Sequence, residues 1–227
     1  MVRHLAAPTR PLRGGSTWTW NPRNRWLRIY HRDDLSPTGD ARRAFGPLLR
    51  FDHHAPPASA PAVCPAGRTI LYLAKTLRTA GAEVFGDLGE APVCPHVRVA
   101  VLRPARRIVV QDIQGGGAMQ IEALPAIGEG DVPRVETQAW ARAIYEDQPG
   151  SPRVAGIRYS SAHDEGASLA VWETAGDLVV VEDHAIDEAA VFRRFLVAMH
   201  EVGIEVLVVP ATDCVRCRQA VARGHPC

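Results

Sequence analysis

Short apolar segments with β-strand character outnumber the helical segments of this chain, and the two kinds do not alternate. The clearest strand is the run ILYLA at Ile70–Ala74, which leads directly into an amphipathic segment. Further strands are predicted at residues 26–30, 97–102, 108–110, 156–161, 169–172, 178–181 and 206–209, and further helices at residues 137–145 and 187–202. Parallel α/β folds alternate strands with helices, so this order predicts an α+β fold with a mixed β core flanked by helices.

The composition indicates one globular domain with extended ends. The chain has 227 residues, of which 46% are hydrophobic, enough to bury a large core. The first 32 residues contain seven arginines and no acidic residue, with Pro8 and Pro11 among them. We therefore predict a basic flexible lead-in over residues 1–22, a main domain over 23–210 and a cysteine-containing tail over 211–227. A solvated lead-in and a nucleic-acid contact both fit the arginines.

Charge and apolar runs limit the partners and the location. The formal net charge is +1, which argues against a polyanion-binding protein, so no direct DNA binding is expected. No run approaches the roughly 18 apolar residues of a membrane span, and the N-terminus has no apolar stretch typical of a secretory signal. Five scattered cysteines do not form a disulfide framework. We expect a cytoplasmic protein with reduced thiols and no membrane contact.

Four polar side chains lie on or beside apolar elements: Arg28, Tyr72, Glu83 and Ser161. Each also has a purely structural interpretation. Arg28 could pack its stem on a sheet and keep its head in water, and Tyr72 could be a core aromatic. Glu83 lies at the edge of a helical apolar stripe and could be a solvated helix residue, while Ser161 could simply end a strand. The stripe consists of Leu77, Ala80, Gly81 and Val84.

Six segments give the chain a resemblance to the RES domain, a family named for its arginine, glutamate and serine. They are residues 27–30 (LRIY), 49–52 (LRFD), 70–74 (ILYLA), 82–85 (AEVF), 137–141 (TQAWA) and 156–161 (GIRYSS). The resemblance covers most of the chain, from about residue 26 to residue 209, and depends on the order of the six segments. It implies a fold similar to that of diphtheria-toxin-like ADP-ribosyltransferases and chemistry on NAD.

The resemblance also implies a set of site residues. The implied catalytic residues are Glu83, Arg28, Tyr72 and Ser161. The implied NAD-binding residues are Arg28, Arg50, Tyr30, Tyr72 and Ser161. Because the segment before Tyr72 is long and rich in proline, Arg68 is the alternative to Arg50. His163 stands near a position where many members have another arginine.

These residue types suit cleavage of the bond between nicotinamide and ribose. That reaction leaves positive charge on the sugar, as glycoside hydrolysis does. A carboxylate such as Glu83 can stabilise the charge, and a guanidinium such as Arg28 or Arg50 can grip a pyrophosphate or a phosphate co-substrate. Tyr72 would pack against the nicotinamide end or bond to the ribose, and Ser161 would orient Glu83 or the ribose.

The resemblance further implies a toxin of a toxin–antitoxin pair. NAD would be the substrate, inorganic phosphate a possible co-substrate, and a small helix-turn-helix protein the antitoxin. Phosphorolysis or hydrolysis of NAD is the expected reaction. The alternatives are a mono-ADP-ribosyltransferase acting on a protein and a non-catalytic nucleotide-binding module.

Cysteines near the C-terminus raise a metal-site alternative. Cys214 and Cys217 have the spacing of a zinc-binding pair, and His225 and Cys227 follow them. The second pair does not match a common structural motif, and Cys64 and Cys94 each precede a proline as loop residues would. No metal is therefore expected, with a zinc-dependent interaction element as the alternative.

Overall fold

An eight-stranded mixed sheet forms the centre of the molecule. The computed structural model describes residues 4–128 and 132–225. The sheet order is β1-β8-β9-β10-β5-β2-β7-β11, with β8 and β9 parallel and the other neighbours antiparallel. The strands are β1 Thr17–Trp20, β2 Trp26–His31, β3 Phe45–Gly46, β4 Ala62–Val63, β5 Ile70–Ala74, β6 Glu90–Val93, β7 Val97–Pro104, β8 Ile108–Asp112, β9 Gly156–Ser160, β10 Ala167–Trp172, β11 Leu178–Ala185 and β12 Glu205–Val208. Two small pairs, β3 with β4 and β6 with β12, lie outside this sheet.

Helices pack on one side of the sheet. They are α1 Leu77–Phe85, α2 Arg134–Asp147, α3 Ala189–His200 and α4 Val215–Ala222. Short 3₁₀ helices lie at Gly115–Ile121, Pro125–Gly128 and Glu173–Ala175, and Ala175 of the last packs in the core on the opposite face. The predicted α+β class with a mixed β core is confirmed, and the predicted helix 187–202 and strand 206–209 are found within two residues. Within the described part of the chain, every helix is too short or too polar to span a bilayer.

Alternation along β5 separates the two faces of the sheet. Leu71 and Leu73 pack in a core on the face opposite the helices, together with Tyr30 from β2. Ile70 and Tyr72 pack instead against the core under α2, and Ala74 against the core under α1 and α3. Tyr72 therefore lies on the helix-bearing face, between the α2 core and the α1–α3 core.

Strands β2 and β5 pair at one position only, Leu27 with Ala74. Beyond it, Arg43 takes the place of β2 beside β5 and exchanges backbone hydrogen bonds of 2.8 and 3.1 Å with Ile70. This opening lets the segment that follows Arg43 reach the helix-bearing face.

Helix α1 follows β5 directly, as the amphipathic segment after Ile70–Ala74 predicts. Thr76 is the N-cap, and its hydroxyl accepts a hydrogen bond from the Thr79 backbone N–H. Ala80 and Phe85 are buried against α3, whereas Val84, predicted on the buried stripe, is 46% exposed. Glu83 is partly buried beside it, as its stripe-edge position predicts.

Both ends of the chain make more contacts than expected. Residues 1–3 and 226–227 lie outside the described residues. Leu5 and Leu12 of the predicted flexible lead-in are nevertheless buried in the α2 core, and Thr17–Trp20 forms an edge strand of the sheet. In the predicted tail, α4 buries Cys217 and Ala220. Burying the apolar side chains of both ends removes their surface from water and stabilises the packing. An amino-acid count dominated by arginine and proline does not reveal this contribution.

Candidate active site

Tyr72 is held by hydrogen bonds on the helix-bearing face. Its hydroxyl donates to Asp52 Oδ1 over 2.8 Å and accepts from the Phe51 backbone N–H over 3.1 Å. Loss of water around the phenol, together with the negative charge of Asp52, raises the pKa of Tyr72 well above its usual value. The neutral hydroxyl thus fixes the position of the segment that carries Asp52.

Asp52 anchors that segment. Arg43 Nη2 lies 2.7 Å from both carboxylate oxygens, and the backbone N–H groups of Leu48 and Leu49 donate to Oδ2 over 2.5 and 3.0 Å. Desolvation raises the pKa of Asp52, but the charge and hydrogen bonds of Arg43 outweigh it, and the pKa falls below its usual value. The ionised carboxylate therefore holds the backbone that leads into Arg50.

Glu83 meets Tyr159 across the gap between α1 and β9. The Tyr159 hydroxyl donates to Glu83 Oε2 over 3.0 Å. Burial, reinforced by the Glu83 charge, raises the pKa of Tyr159 well above its usual value, so the donor stays protonated. Glu83 Oε1 is buried and has no hydrogen-bond partner among the described residues. A buried acceptor left without a donor costs about 1–3 kcal/mol, which a ligand hydroxyl could recover.

Arg50 lies over the ring of Tyr159. Its guanidinium carbon is 5.8 Å from the centre of the Tyr159 ring and 5.2 Å from that of Phe51. Arg50 Nη2 donates to the Ile127 carbonyl over 3.1 Å. Within the described residues, Nε and Nη1 are buried without a hydrogen-bond partner. Two of the three guanidinium nitrogens therefore have N–H groups without a partner among the described residues.

Contacts through two rings join these residues into one cluster. The Phe51 and Tyr159 rings lie 4.5 Å apart between centroids. Phe51 also connects to Tyr72 through its backbone, and Tyr159 connects to Glu83 through its hydroxyl. The structure thus brings together Arg50, Tyr72 and Glu83. Beside the same aromatic pair, Arg50 Nε and Nη1 and Glu83 Oε1 have no hydrogen-bond partner among the described residues.

Ser161 follows β9 directly and begins a turn that packs on α1. Its hydroxyl oxygen accepts from the His163 backbone N–H over 3.3 Å, and the side chain is 3% exposed. Asp164 of the same turn accepts a hydrogen bond of 2.9 Å from Thr79 in α1. The turn therefore fastens the end of the Ser161 strand to the helix that carries Glu83.

A family model described as the RES domain matches residues 25–194, which include this whole cluster. The chain belongs to the RES domain family. A solved structure similar to this RES chain is a chain of the M. tuberculosis MbcT–MbcA toxin–antitoxin complex, with 18% identity and a TM-score of 0.49. That match covers 78% of the RES chain and 91% of the M. tuberculosis chain. No curated protein sequence is significantly similar to the RES chain.

Two of the residues implied by the RES resemblance lie apart from the cluster. Arg28 Nη1 donates to the carbonyls of Gly39 and Ala41 over 2.9 and 2.8 Å, and burial lowers the pKa of Arg28 to about 10. The Tyr30 hydroxyl donates to Asp183 over 2.8 Å on the face opposite the helices. The structure therefore separates Tyr30 from Glu83. The Arg28 side chain instead binds the loop that precedes Arg43.

The alternative arginine lies elsewhere in the RES domain. Arg68 donates to the His53 carbonyl over 2.8 Å and to Glu146 over 3.0 Å, beside α2. Arg50, not Arg68, is the arginine next to Tyr159. His163 packs against the end of α1, where a Cβ added to Gly86 would lie 2.5 Å from its ring.

The residues that hold the cluster together are not among the site residues predicted from the sequence. Asp52, Phe51 and Tyr159 all stand in segments that carry the RES resemblance. Asp52 beside Arg50 reads as a local charge pair, whereas its partners are Arg43 and Tyr72. The alternation of residues in the segment 156–161 could have placed Tyr159 on the same side as Ser161.

Proposed function

We propose that this RES protein is an NAD-consuming enzyme of toxin type that cleaves the nicotinamide–ribose bond. The observation that carries the proposal is the pair of unsatisfied groups around Tyr159, Glu83 Oε1 and the Arg50 guanidinium. Buried polar atoms in native proteins are normally hydrogen-bonded, so exceptions of opposite charge at one place favour a missing polar ligand. Membership of the RES family supports NAD as that ligand.

Glu83 would stabilise the sugar during bond cleavage. As nicotinamide leaves, positive charge develops on the ribose, and a fixed carboxylate favours that state over the ground state. Oε1 would accept from a ribose hydroxyl or face the charged carbon, while Tyr159 holds Oε2. The hydrogen bond orients the carboxylate without supplying a competing positive charge, because the phenol remains neutral.

Arg50 would bind the phosphate groups of NAD. Two free N–H donors on a planar guanidinium match two phosphate oxygens, and the flanking rings of Phe51 and Tyr159 keep the guanidinium in place. The free donors are buried, so NAD binding requires the segment around Arg50 to open. Tyr72 would position that segment through Asp52, and Ser161 would line the ribose end.

Arg28 has a separate place in the proposal. Its bonds to Gly39 and Ala41 hold the loop that leads to Arg43, and Arg43 in turn holds Asp52. We assign Arg28 a positioning role in this arrangement, with a direct contact to phosphate as the alternative that the RES resemblance implies.

Water or inorganic phosphate would accept the ADP-ribosyl group in the cytoplasm. A small helix-turn-helix antitoxin, binding over the cluster, would keep the enzyme inactive. The net charge of +1 supports a protein partner rather than direct contact with DNA.

The test follows NAD loss by the purified protein, with and without inorganic phosphate, and resolves the products by mass. Glu83→Gln keeps the shape of the side chain and removes its charge. We expect it to lower the rate about 10²- to 10³-fold, because a charged contact to the reacting sugar is lost. Glu201→Gln, on an exposed glutamate at the end of α3, is the matched control and should leave the rate unchanged.

The products separate the alternatives. Phosphorylated ADP-ribose indicates phosphorolysis, free ADP-ribose indicates hydrolysis, and label transferred from NAD to a protein indicates an ADP-ribosyltransferase. NAD binding without turnover in any of these assays would contradict the proposal and favour a non-catalytic nucleotide-binding module. Equal rates for the wild type and Glu83→Gln would show that Glu83 has no catalytic role.

A further inference from the structure

Four side chains that commonly bind metal converge outside the candidate active site. They are His31 at the end of β2, Cys94 just after β6, and Cys214 and Cys217 at the start of α4. One ligand atom from each lies within 4.8 Å of the others. Three of the four residues are buried, and Cys214 is partly buried. Their sequence positions are far apart, so the fold itself assembles the group.

The distances within the group match a tetrahedral zinc site. Zinc–sulfur bonds of about 2.3 Å and zinc–nitrogen bonds of about 2.0 Å at tetrahedral angles separate two sulfurs by about 3.8 Å, and sulfur from nitrogen by about 3.5 Å. Cys94 Sγ lies 3.7 Å from Cys217 Sγ. His31 Nε2 lies 3.3, 3.5 and 3.7 Å from the sulfurs of Cys217, Cys94 and Cys214.

Local structure explains how each ligand reaches the group. Cys214 is the N-cap of α4 and Cys217 lies in its first turn, so both point to one side of the helix. Cys94 begins a turn closed by a 3.0 Å hydrogen bond from the Val97 N–H to its carbonyl. His31 lies beside this turn because it pairs with Val97 across β2 and β7.

An acidic residue supports the histidine ligand. Asp33 Oδ2 lies 3.5 Å from His31 Nδ1, and both side chains are largely buried. Zinc-binding histidines usually present their second nitrogen to a carboxylate or carbonyl, which fixes the ring and the tautomer. With this arrangement Nε2 is the nitrogen that faces the three sulfurs.

We propose that His31, Cys94, Cys214 and Cys217 form a structural zinc site of the Cys3His type. Four protein ligands complete the tetrahedron and leave no position open for a substrate, which is the pattern of structural rather than catalytic zinc. Three thiolates and one neutral imidazole also favour zinc over the oxygen-preferring cations magnesium and calcium.

The site would fasten α4 to the sheet. An eight-residue helix is too short to be stable alone, so its position depends on tertiary contacts. At its far end, Arg223 makes two hydrogen bonds, of 2.9 and 2.6 Å, to Asp34. The zinc and this ion pair would hold the helix against the loop after β2, which also supplies the carbonyls that bind Arg28.

This ligand set differs from the one considered from the sequence. The sequence spacing groups Cys214 and Cys217 with His225 and Cys227 and predicts no metal. Cys227 lies outside the described residues, and His225 Nε2 is 4.0 Å from Asp34. The second half of the site comes instead from His31 and from Cys94, which had been interpreted as a loop cysteine.

The test measures metal in the full chain, purified in reducing buffer without chelator and with any affinity tag removed. Elemental analysis should find one zinc per chain. Cys214→Ala should reduce bound zinc at least tenfold, and Cys64→Ala, on a cysteine outside the group, should retain it. Cys214 is the chosen position because it is partly exposed, so its truncation leaves the smallest defect.

A second measurement on the unaltered chain keeps the proposal falsifiable if Cys214→Ala fails to fold. Cobalt replacing zinc should give the intense visible bands of a tetrahedral thiolate site and a stoichiometry of one. Absence of bound zinc after reconstitution, iron in place of zinc, a disulfide joining Cys94 to Cys217, or equal zinc loss in Cys64→Ala would each overturn the proposal. None of these readouts depends on NAD chemistry.

Discussion

At the scale of single residues, Tyr159 links the two groups that define the candidate site. Its ring lies under the Arg50 guanidinium, and its hydroxyl holds Glu83. The pKa of this phenol is raised well above its usual value, chiefly by burial, so it acts as a hydrogen-bond donor and not as a base. Glu83 then keeps one oxygen fixed and one available.

Tyr159→Phe tests this role. The variant keeps the ring under Arg50 and removes the donor to Glu83, so the carboxylate should lose its orientation. We expect kcat for NAD loss to fall about 10-fold to 100-fold, with KM changed less because Arg50 keeps its aromatic support.

Tyr145→Phe is the matched control. Its hydroxyl donates to Glu173 over 2.6 Å beside α2, outside the cluster. This variant should lose some stability and no activity. Equal loss of kcat in the two variants would show that the hydroxyl of Tyr159 contributes only to folding.

At the scale of elements, the site depends on how closely the turn 161–166 approaches α1. Thr79 and Arg78 of α1 both bond to Asp164 in the turn. Gly166 lies against Thr79, and a Cβ added there would clash with the threonine hydroxyl. Glycine is thus required for contact between the turn that begins at Ser161 and the helix of Glu83.

Gly166→Ala should push the turn away from α1. A displacement of about 1 Å at a catalytic group can lower the rate on the order of 100-fold. We therefore expect a large fall in the rate of NAD consumption with only a small fall in melting temperature. Steady-state kinetics and a melting curve on the same preparation measure both effects.

Gly116→Ala provides the comparison, since its added Cβ would meet open space. It should leave both rate and melting temperature near those of the wild type. If Gly166→Ala lowers the melting temperature but keeps full activity, the turn contributes to stability and not to the active site.

At the scale of the whole molecule, the N-terminal segment completes the core. Leu5 and Leu12 are buried among the residues of α2 and the 3₁₀ helices. Polar contacts reinforce this packing, because the N–H groups of Leu5 and Leu12 donate to Glu136 and Asp147. The segment before the matched RES region is thus part of the folded unit in this protein.

Leu12→Ala should therefore lower the free energy of unfolding by about 2–5 kcal/mol, as other buried Leu→Ala changes do. Urea denaturation measures this value. Leu35→Ala, on a side chain that is 67% exposed, should change it by less than about 0.5 kcal/mol. Similar changes in the free energy of unfolding for both variants would show that the N-terminal segment is a solvated lead-in.

Much of the fold was predictable because its signals are local. The apolar run of β5 acts within a few residues, and the strand and the helical segment after it are found in the predicted order. Burial on amphipathic helices was less accurate. Val84 belongs to the predicted apolar stripe of α1 and is exposed, because the partner across the helix decides which part of a wide apolar stripe is covered.

The candidate site was predictable only in part. Arg50, Tyr72 and Glu83 were selected and are joined in one cluster, whereas Tyr30 was selected and lies on the other face. The NAD-binding and catalytic roles of all these residues stay predictions. Asp52 and Tyr159 were not selected, since their importance comes from partners that sequence spacing does not reveal.

By itself, the sequence determined the α+β class, the main strands and helices and membership of the RES family, because these depend on local periodicity and on the order of short segments. Tertiary structure alone decided which side chains meet. Tyr159 and Glu83 are 76 positions apart, and Cys94 and Cys217 are 123 positions apart. Contacts over such distances depend on strand order and helix packing, which bring together residues with no shared signal along the chain.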